Sequence, residues 1–263
     1  MKEIMKPRSV LAWIAIWGMT SWSSLAAQQG DGDNTGTNPV NFTYDWRTYF
    51  EMRSAPGGDN SLSILTIEQR MPLSQKVQFR FRVRHNSLSL DPDEDGISAE
   101  TSGLGDWDAR VLYLAKVSSK GALAVGLEAS VPTASNTRLG SGKATLGPQI
   151  FGVLFRPPGG GVLIAPAYQL VFSYAGDAAR SDVLRSQFDL FYLWLSNDSK
   201  WWLLADPQAV IDHENDLGFV LLEAEYGRMM FGGLSSYFRA SFGIGEDRPY
   251  NWSGEFGFKV IWR

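Results

Sequence analysis

Residues Val77-Gln78-Phe79-Arg80-Phe81-Arg82-Val83-Arg84 alternate without a slip between apolar and polar. A period of two belongs to a strand whose faces meet different surroundings. In a soluble sandwich the arginines would face water and the aromatics a core. In an outer-membrane barrel the aromatics would face lipid and the arginines a wet lumen. The remaining sequence favours the barrel.

The N-terminus reads as an export signal. Lys2, Lys6 and Arg8 form a basic start, Ser9 to Met19 is mostly apolar, and Ser24-Leu25-Ala26 supplies small residues for cleavage after Ala26. The apolar run is shorter than the roughly 20 residues of a spanning helix. Residues 1–26 carry three positive charges and one negative, so their removal takes the net charge from −4 to −6. An acidic exported chain gives no hint of nucleic-acid binding. The absence of cysteine rules out a lipoprotein anchor and a disulfide framework. Residues 27–40, polar and Gly-rich, read as a disordered leader, and residues 41–263 as one barrel.

From there a strand pattern recurs every 15 to 20 residues and no amphipathic helix intervenes. The alternation predicts strands at 42–53, 61–71, 76–87, 105–118, 121–132, 144–156, 161–175, 182–196, 201–213, 218–229, 234–245 and 251–262. Twelve is an even number, as in single-chain bacterial barrels, and most of these strands have the length of a tilted bilayer crossing, about 9–11 residues. Short connections are expected at Pro72–Gln75, Ser119-Lys120, Pro157–Gly160, Asn197–Lys200 and Met230–Gly233. The longest, Leu88–Leu104 and Thr133–Lys143, fall in the alternate set and so share the opposite end. Short periplasmic turns and long external loops are the outer-membrane arrangement. The fold class expected is therefore all-β, a closed antiparallel transmembrane β-barrel of about 12 strands. Trp201-Trp202, just past a short turn, is expected in an aromatic girdle.

Three stretches follow in order: Ser102-Gly103-Leu104-Gly105-Asp106, Val131-Pro132-Thr133, and Gly140-Ser141-Gly142 leading into Thr145-Leu146-Gly147-Pro148. Together, over about residues 100–156, they resemble the outer-membrane barrels of the phenol-degradation meta-pathway family. The resemblance implies a barrel that moves small, often aromatic, compounds across the outer membrane.

The chemistry is expected in the lumen. Twelve strands about 4.8 Å apart and tilted near 40° give a backbone diameter of roughly 24 Å and a bore of about 10 Å or less. Arg80, Arg82 and Arg84 would form a basic ladder, with Glu68, Asp106, Asp108 and Arg110 beside them and Glu128, Glu223 and Glu225 further round. Such residues either set up a transverse field that orients a solute or pair with one another and fill the lumen. Both readings stand. Asp91-Pro92-Asp93-Glu94-Asp95-Gly96 begins like a calcium loop but lacks its closing Glu, so an acidic solvated loop and no metal site is expected. His85 and His213 are the only histidines, and no Ser sits in a glycine elbow, so an enzyme is not expected.

The function expected is passive passage of a small solute, with no cofactor. Its partners would be outer-membrane lipids, that solute, and the barrel-assembly machinery during biogenesis. The alternative is a non-conducting structural or surface-interaction barrel that acts through its external loops.

Overall fold

The computed structural model describes residues 35–56, 60–90, 99–118, 121–154 and 161–262. The acidic stretch 91–96 and the export signal lie outside them. Thirteen strands follow in chain order: β1 (Tyr44–Ser54), β2 (Ser61–Ser74), β3 (Val77–Leu90), β4 (Ala99–Leu104), β5 (Trp107–Ser118), β6 (Gly121–Val131), β7 (Lys143–Val153), β8 (Gly161–Gly176), β9 (Leu184–Leu195), β10 (Trp201–Asp212), β11 (Leu217–Phe231), β12 (Leu234–Ile244) and β13 (Trp252–Trp262). Each pairs antiparallel with its neighbours, and β1 meets β13 from Tyr44↔Trp262 to Ser54↔Trp252, closing the ring. Closure pairs both edges of the spanning strands, the condition for placing strands in lipid, while the short β4 pairs on one side only, with β3.

The barrel has twelve staves, because β4 and β5 share one. The lower half of β3 pairs with β5 (Val77↔Tyr113 to Arg82↔Asp108), the upper half with β4 (His85↔Leu104 to Leu90↔Ala99). The stave breaks at Gly105-Asp106. The predicted loop 88–104 is thus corrected: both its ends are strand, since β3 runs on to Leu90 and β4 returns from Ala99. Leu88 and Leu90 stand on the parity that carries the arginines, and β4 has no apolar face, so neither end shows the alternation that marks the spanning strands.

Polarity is inverted relative to a soluble protein. Phe50, Leu127, Phe188, Leu222, Phe238 and Phe256 are exposed on the outside, whereas Asp45, Arg47, Glu68, Arg80, Asp108 and Lys259 are buried inside. An apolar surface this continuous would associate in water and is at home only in lipid. Among the described residues no helix is long and apolar enough to cross a membrane, so the strands do the crossing.

Trp201 and Trp202 part company. Trp201 lies against the outward Trp194, ring centroids 5.5 Å apart. Trp202 is fully buried inside and donates its Nε1–H to Glu225 Oε1 at 2.6 Å. The girdle expectation for Trp202 is corrected by strand parity alone: adjacent residues point to opposite faces. Gly227, its cross-strand partner, leaves the space the indole fills, since a Cβ there would fall on the six-membered ring.

Candidate functional site

The lumen is built by register. Arg47, Glu68, Arg82, Asp108 and Ser130 lie in one row across β1, β2, β3, β5 and β6, and charge alternates along the charged part of it. The next row carries Arg70, Arg80, Arg110 and Glu128, three cations in succession before one acid. The arginines therefore reach between rows. Arg80 bonds Glu128 at 2.5 Å and Asp108 at 3.2 Å, Arg82 bonds the same two at 3.2 and 2.8 Å, and Arg84 reaches Asp108 at 2.6 Å. Nearer the periplasmic end Asp45, Arg47, Glu68 and Arg70 form a second chain of pairs. The ladder is thus neutralised along its own wall and does not reach across the lumen. Arg110 is left without an ion pair among the described residues, its guanidinium 5.8 Å from the Phe151 ring centre.

The far wall has the opposite bias. Inward-facing strand charges on β1–β6 are Arg47, Arg53, Arg70, Arg80, Arg82, Arg84 and Arg110 against Asp45, Glu51, Glu68, Asp108 and Glu128. Those on β7–β13 are Lys143, Arg185, Arg239 and Lys259 against Asp189, Asp206, Asp212, Glu223, Glu225 and Glu255. Glu225 holds Arg239 at 2.6 Å and Lys259 at 3.4 Å, and Arg239 also faces Glu255 at 3.6 Å. Asp189 and Asp206 have no cation within ion-pair distance among the described residues, only glutamine amides, from Gln187 and Gln208. A basic excess on one side and an acidic excess on the other set a transverse field across the bore.

The periplasmic part of the lumen is dry and occupied. Leu112, Leu114, Ala124, Phe151 and Ala167 form one buried apolar cluster, and Val153, Leu163, Leu193, Leu195 and Trp202 another. Residues 35–43, the end of the stretch read from sequence as a disordered leader together with the start of the predicted first strand, lie over them. Phe42 is buried in the first cluster and Val40 packs against both. Polar anchors hold the same segment. Gly36 C=O accepts from Arg47 at 2.5 Å, and Thr37 Oγ1 accepts from Lys259 Nζ at 3.1 Å. Thr35 and Asn38 are buried. Together these contacts hold the segment inside the barrel, where it forms the floor of a cavity.

Above the floor lies a cavity of about 610 Å³. Of the residues expected to line a pore, Arg80, Arg82, Arg84, Asp106, Asp108, Arg110, Glu128 and Glu223 line this cavity, whereas Glu68 and Glu225 are buried behind its surface. Arg70, Arg185, Asp189 and Asp206 join the lining, as do Gln149, Gln169, Gln187 and Gln208 on four successive strands. The glutamines carry no charge, so sequence alone does not single them out, although each falls on the inward parity of its strand.

The external mouth is narrowed by the loop 132–142, and the three family-like motifs meet there. Asp106 Oδ2 accepts from Ser141 N–H at 2.7 Å and from its hydroxyl at 2.9 Å, while Oδ1 accepts from Ala134 N–H at 3.2 Å. A Cβ at Gly140 would stand 2.5 Å from Asp106 Oδ1. Thr133 Oγ1 accepts from Trp107 N–H at 3.0 Å and caps the broken stave, and Asn86 donates to Leu139 C=O at 2.8 Å. Asp106 thus spends its carboxylate on fastening the loop. Further round, Lys143 Nζ bonds Asp182 at 2.8 Å, and that bond, with one from Ser173, lowers the Asp182 carboxyl below its ordinary range.

The histidines are apart. His85 projects from the outer face of β3, and His213 Nε2 lies 2.9 Å from Ser186 Oγ on the outer face of β9. Tyr168 also bonds Ser186, which is buried, and among the described residues no grouping of His, Asp and Glu could hold a metal.

No family model and no curated protein matches the chain. Solved structures do. The COG4313 outer membrane channel from Pseudomonas putida F1 is similar over 92% of this chain and 100% of its own, at 9% identity and a TM-score of 0.64. The NanC porin is similar over 84% and 99%, at 10% identity and a TM-score of 0.57, and the KdgM porin over 83% and 99%, at 9% and 0.53. The fold is that of outer-membrane channels and porins.

Proposed function

We propose that this chain is an outer-membrane channel through which a small solute passes passively, and that residues 35–43 are its gate. The observation that carries this reading is the combination of a lipid-compatible exterior with a charge-lined cavity that ends on a separable segment of chain. A solute would enter past the loop 132–142, align in the transverse field, and leave when Phe42 and Val40 lift from the apolar floor. Selection would rest on bore and on wall charge, with no cofactor and no energy coupling. The names of the similar structures, channels and porins, support the class of function and leave the solute open. In the same reading residues 1–26 are removed on export, and the barrel-assembly machinery inserts residues 44–262 among outer-membrane lipids.

The segment held inside the lumen also favours a second reading, a barrel that conducts nothing and acts through its external loops. Planar-bilayer recording of the refolded chain separates the two. Discrete current steps are expected, with an anion-to-cation preference that shifts toward cations in Arg82→Glu, because the reversed charge joins Asp108 and Glu128 and leaves only Arg80 and Arg84 to balance them. A folded barrel without steps would establish the non-conducting reading. Steps with unaltered selectivity would remove the arginine ladder from the mechanism.

A further inference from the structure

Ionised side chains are nearly absent from the outer wall. Across the spanning strands the carboxylates and most of the cations take the inward parity. Among the described residues two depart from it: Lys116 on β5, paired with the outward Leu123, and Arg228 on β11, paired with the outward Trp201. Both are cations, and both lie at the short-turn end of their strands. A charge on the lipid-facing parity is costly at mid-membrane and costs little near the interface, where a long side chain carries it to the head groups.

Arg228 has a setting that Lys116 lacks. Lys116 shares its row with Leu123 and Gly152. Register sets Arg228 between Trp201 and Ser236 in one row across β10, β11 and β12. In the row above, Trp194 and Tyr226 stand on either side of Leu203, each half exposed. Indole and phenol rings of this kind sit at head-group level. Lys200 occupies the adjoining turn, and its carbonyl accepts from Met229 N–H at 2.7 Å, which holds the turn beside β11. The Lys200 ammonium lies 3.3 Å from Asp198, but both side chains are more than half exposed, and such a pair is worth little. Arg228 is exposed and has no ion pair among the described residues.

A guanidinium on a wall bathed in lipid, with no acid beside it, takes its counter-charge from outside the chain. At head-group level that counter-charge is a phosphate, whose oxygens match the planar guanidinium fork. The Ser236 hydroxyl adds a neutral donor in the same row. A zwitterionic head group brings its own cation to the phosphate and competes with Arg228, whereas an anionic head group does not.

We infer that Arg228 and Ser236, framed by Trp194, Trp201 and Tyr226 and with Lys200 at the edge, form a docking site for the head group of an anionic phospholipid. The site lies outside the lumen and stands whether or not the barrel conducts. With the short turns periplasmic, the lipid belongs to the inner leaflet.

The test uses the refolded full chain in detergent, with bound lipid counted by native mass spectrometry for phosphatidylglycerol and phosphatidylcholine of the same acyl chains. Phosphatidylglycerol is expected to bind at least fivefold more tightly, the equivalent of about 1 kcal/mol for one cation beside an anionic head group. Arg228→Gln is expected to abolish that preference, and Lys116→Gln to leave it. Equal binding of the two lipids by folded wild type would overturn the inference, as would a preference that Arg228→Gln keeps. A preference lowered as much by Lys116→Gln would reduce the effect to bulk charge and overturn the site. Displacement of the lipid by inorganic phosphate at the same concentration would assign the cations to free anions and overturn it too.

Discussion

The two halves of the lumen are built on different principles. The periplasmic half is dry: leucines, Phe151 and Trp202 pack against Phe42 and Val40, and its charges, Glu225 and Lys259, are enclosed with their partners. The external half is wet. Its arginines pair along one wall, its glutamines ring the other, and among the described residues Asp189 and Asp206 have no cation within ion-pair distance. An ion pair in the first half is a structural commitment, because losing one partner strands the other in a low-dielectric interior. In the second half water stands in for a lost partner, so charge there is free to serve a solute. The lesson is that burial alone does not tell a structural charge from a functional one; access to the cavity does.

Paired substitutions sharpen that contrast. Glu225→Gln leaves Lys259 and Arg239 short of a counter-charge and is expected to cost about 3–5 kcal/mol of barrel stability. Glu128→Gln, on the cavity surface beside Arg80 and Arg82, is expected to cost about 1–2 kcal/mol, the range of a charged hydrogen bond that water replaces in part. Urea unfolding of both, followed by the slower migration of unfolded barrels on gels, gives the comparison. Equal losses would erase the distinction between the halves. Asp106→Ala is expected to leave global stability nearly unchanged and free the loop 132–142, so that trypsin cuts after Arg138, which wild type resists. Asp182→Asn should have the smallest effect, a modest rise in cleavage at the same site. Since the Asp182 carboxyl is lowered in the folded chain, its contribution is fully present above the ordinary carboxylate range and is lost as pH falls below that range through the lowered value. Wild type probed at that low pH with pepsin, which works there as trypsin does not, should therefore show a loop as open as that of the Asp182→Asn variant.

The wall of the barrel was legible because each spanning strand meets lipid on one side and polar groups on the other, so parity alone assigns both faces. Trp252, Phe256 and Phe258 point out and Ser253, Glu255 and Lys259 point in, as the alternation requires. The broken stave was not legible. Nothing in Ala99–Leu104 carries an apolar face, and its pairing to β3 is a long-range event. The floor was missed for a different reason. Val111–Leu114, Val162–Ala165, Phe191–Leu195 and Trp201–Ala205 are apolar on both parities; the first lies at mid-strand and the other three at the short-turn end of their strands. Loss of alternation there marks a lumen filled by protein, since a strand apolar on both faces is buried on both. Residues 35–43, read as leader and strand start, are what covers it. The pairing of arginines along their own wall was open from sequence because both proposed arrangements use the same residues, and only register, Arg82 between Glu68 and Asp108, decides.

The central claim is that the segment over the floor gates an open path, and single-channel recording of wild type beside Phe42→Gly tests it most directly. Phe42 is 4% exposed and is the largest side chain the segment places in the apolar clusters. Removing it is expected to lose about 3–5 kcal/mol of packing. Brief wild-type openings that become at least a hundredfold more populated in Phe42→Gly, with the barrel still folded, are the expected result. Identical records from the two proteins, or silence from both while each is folded, would contradict it.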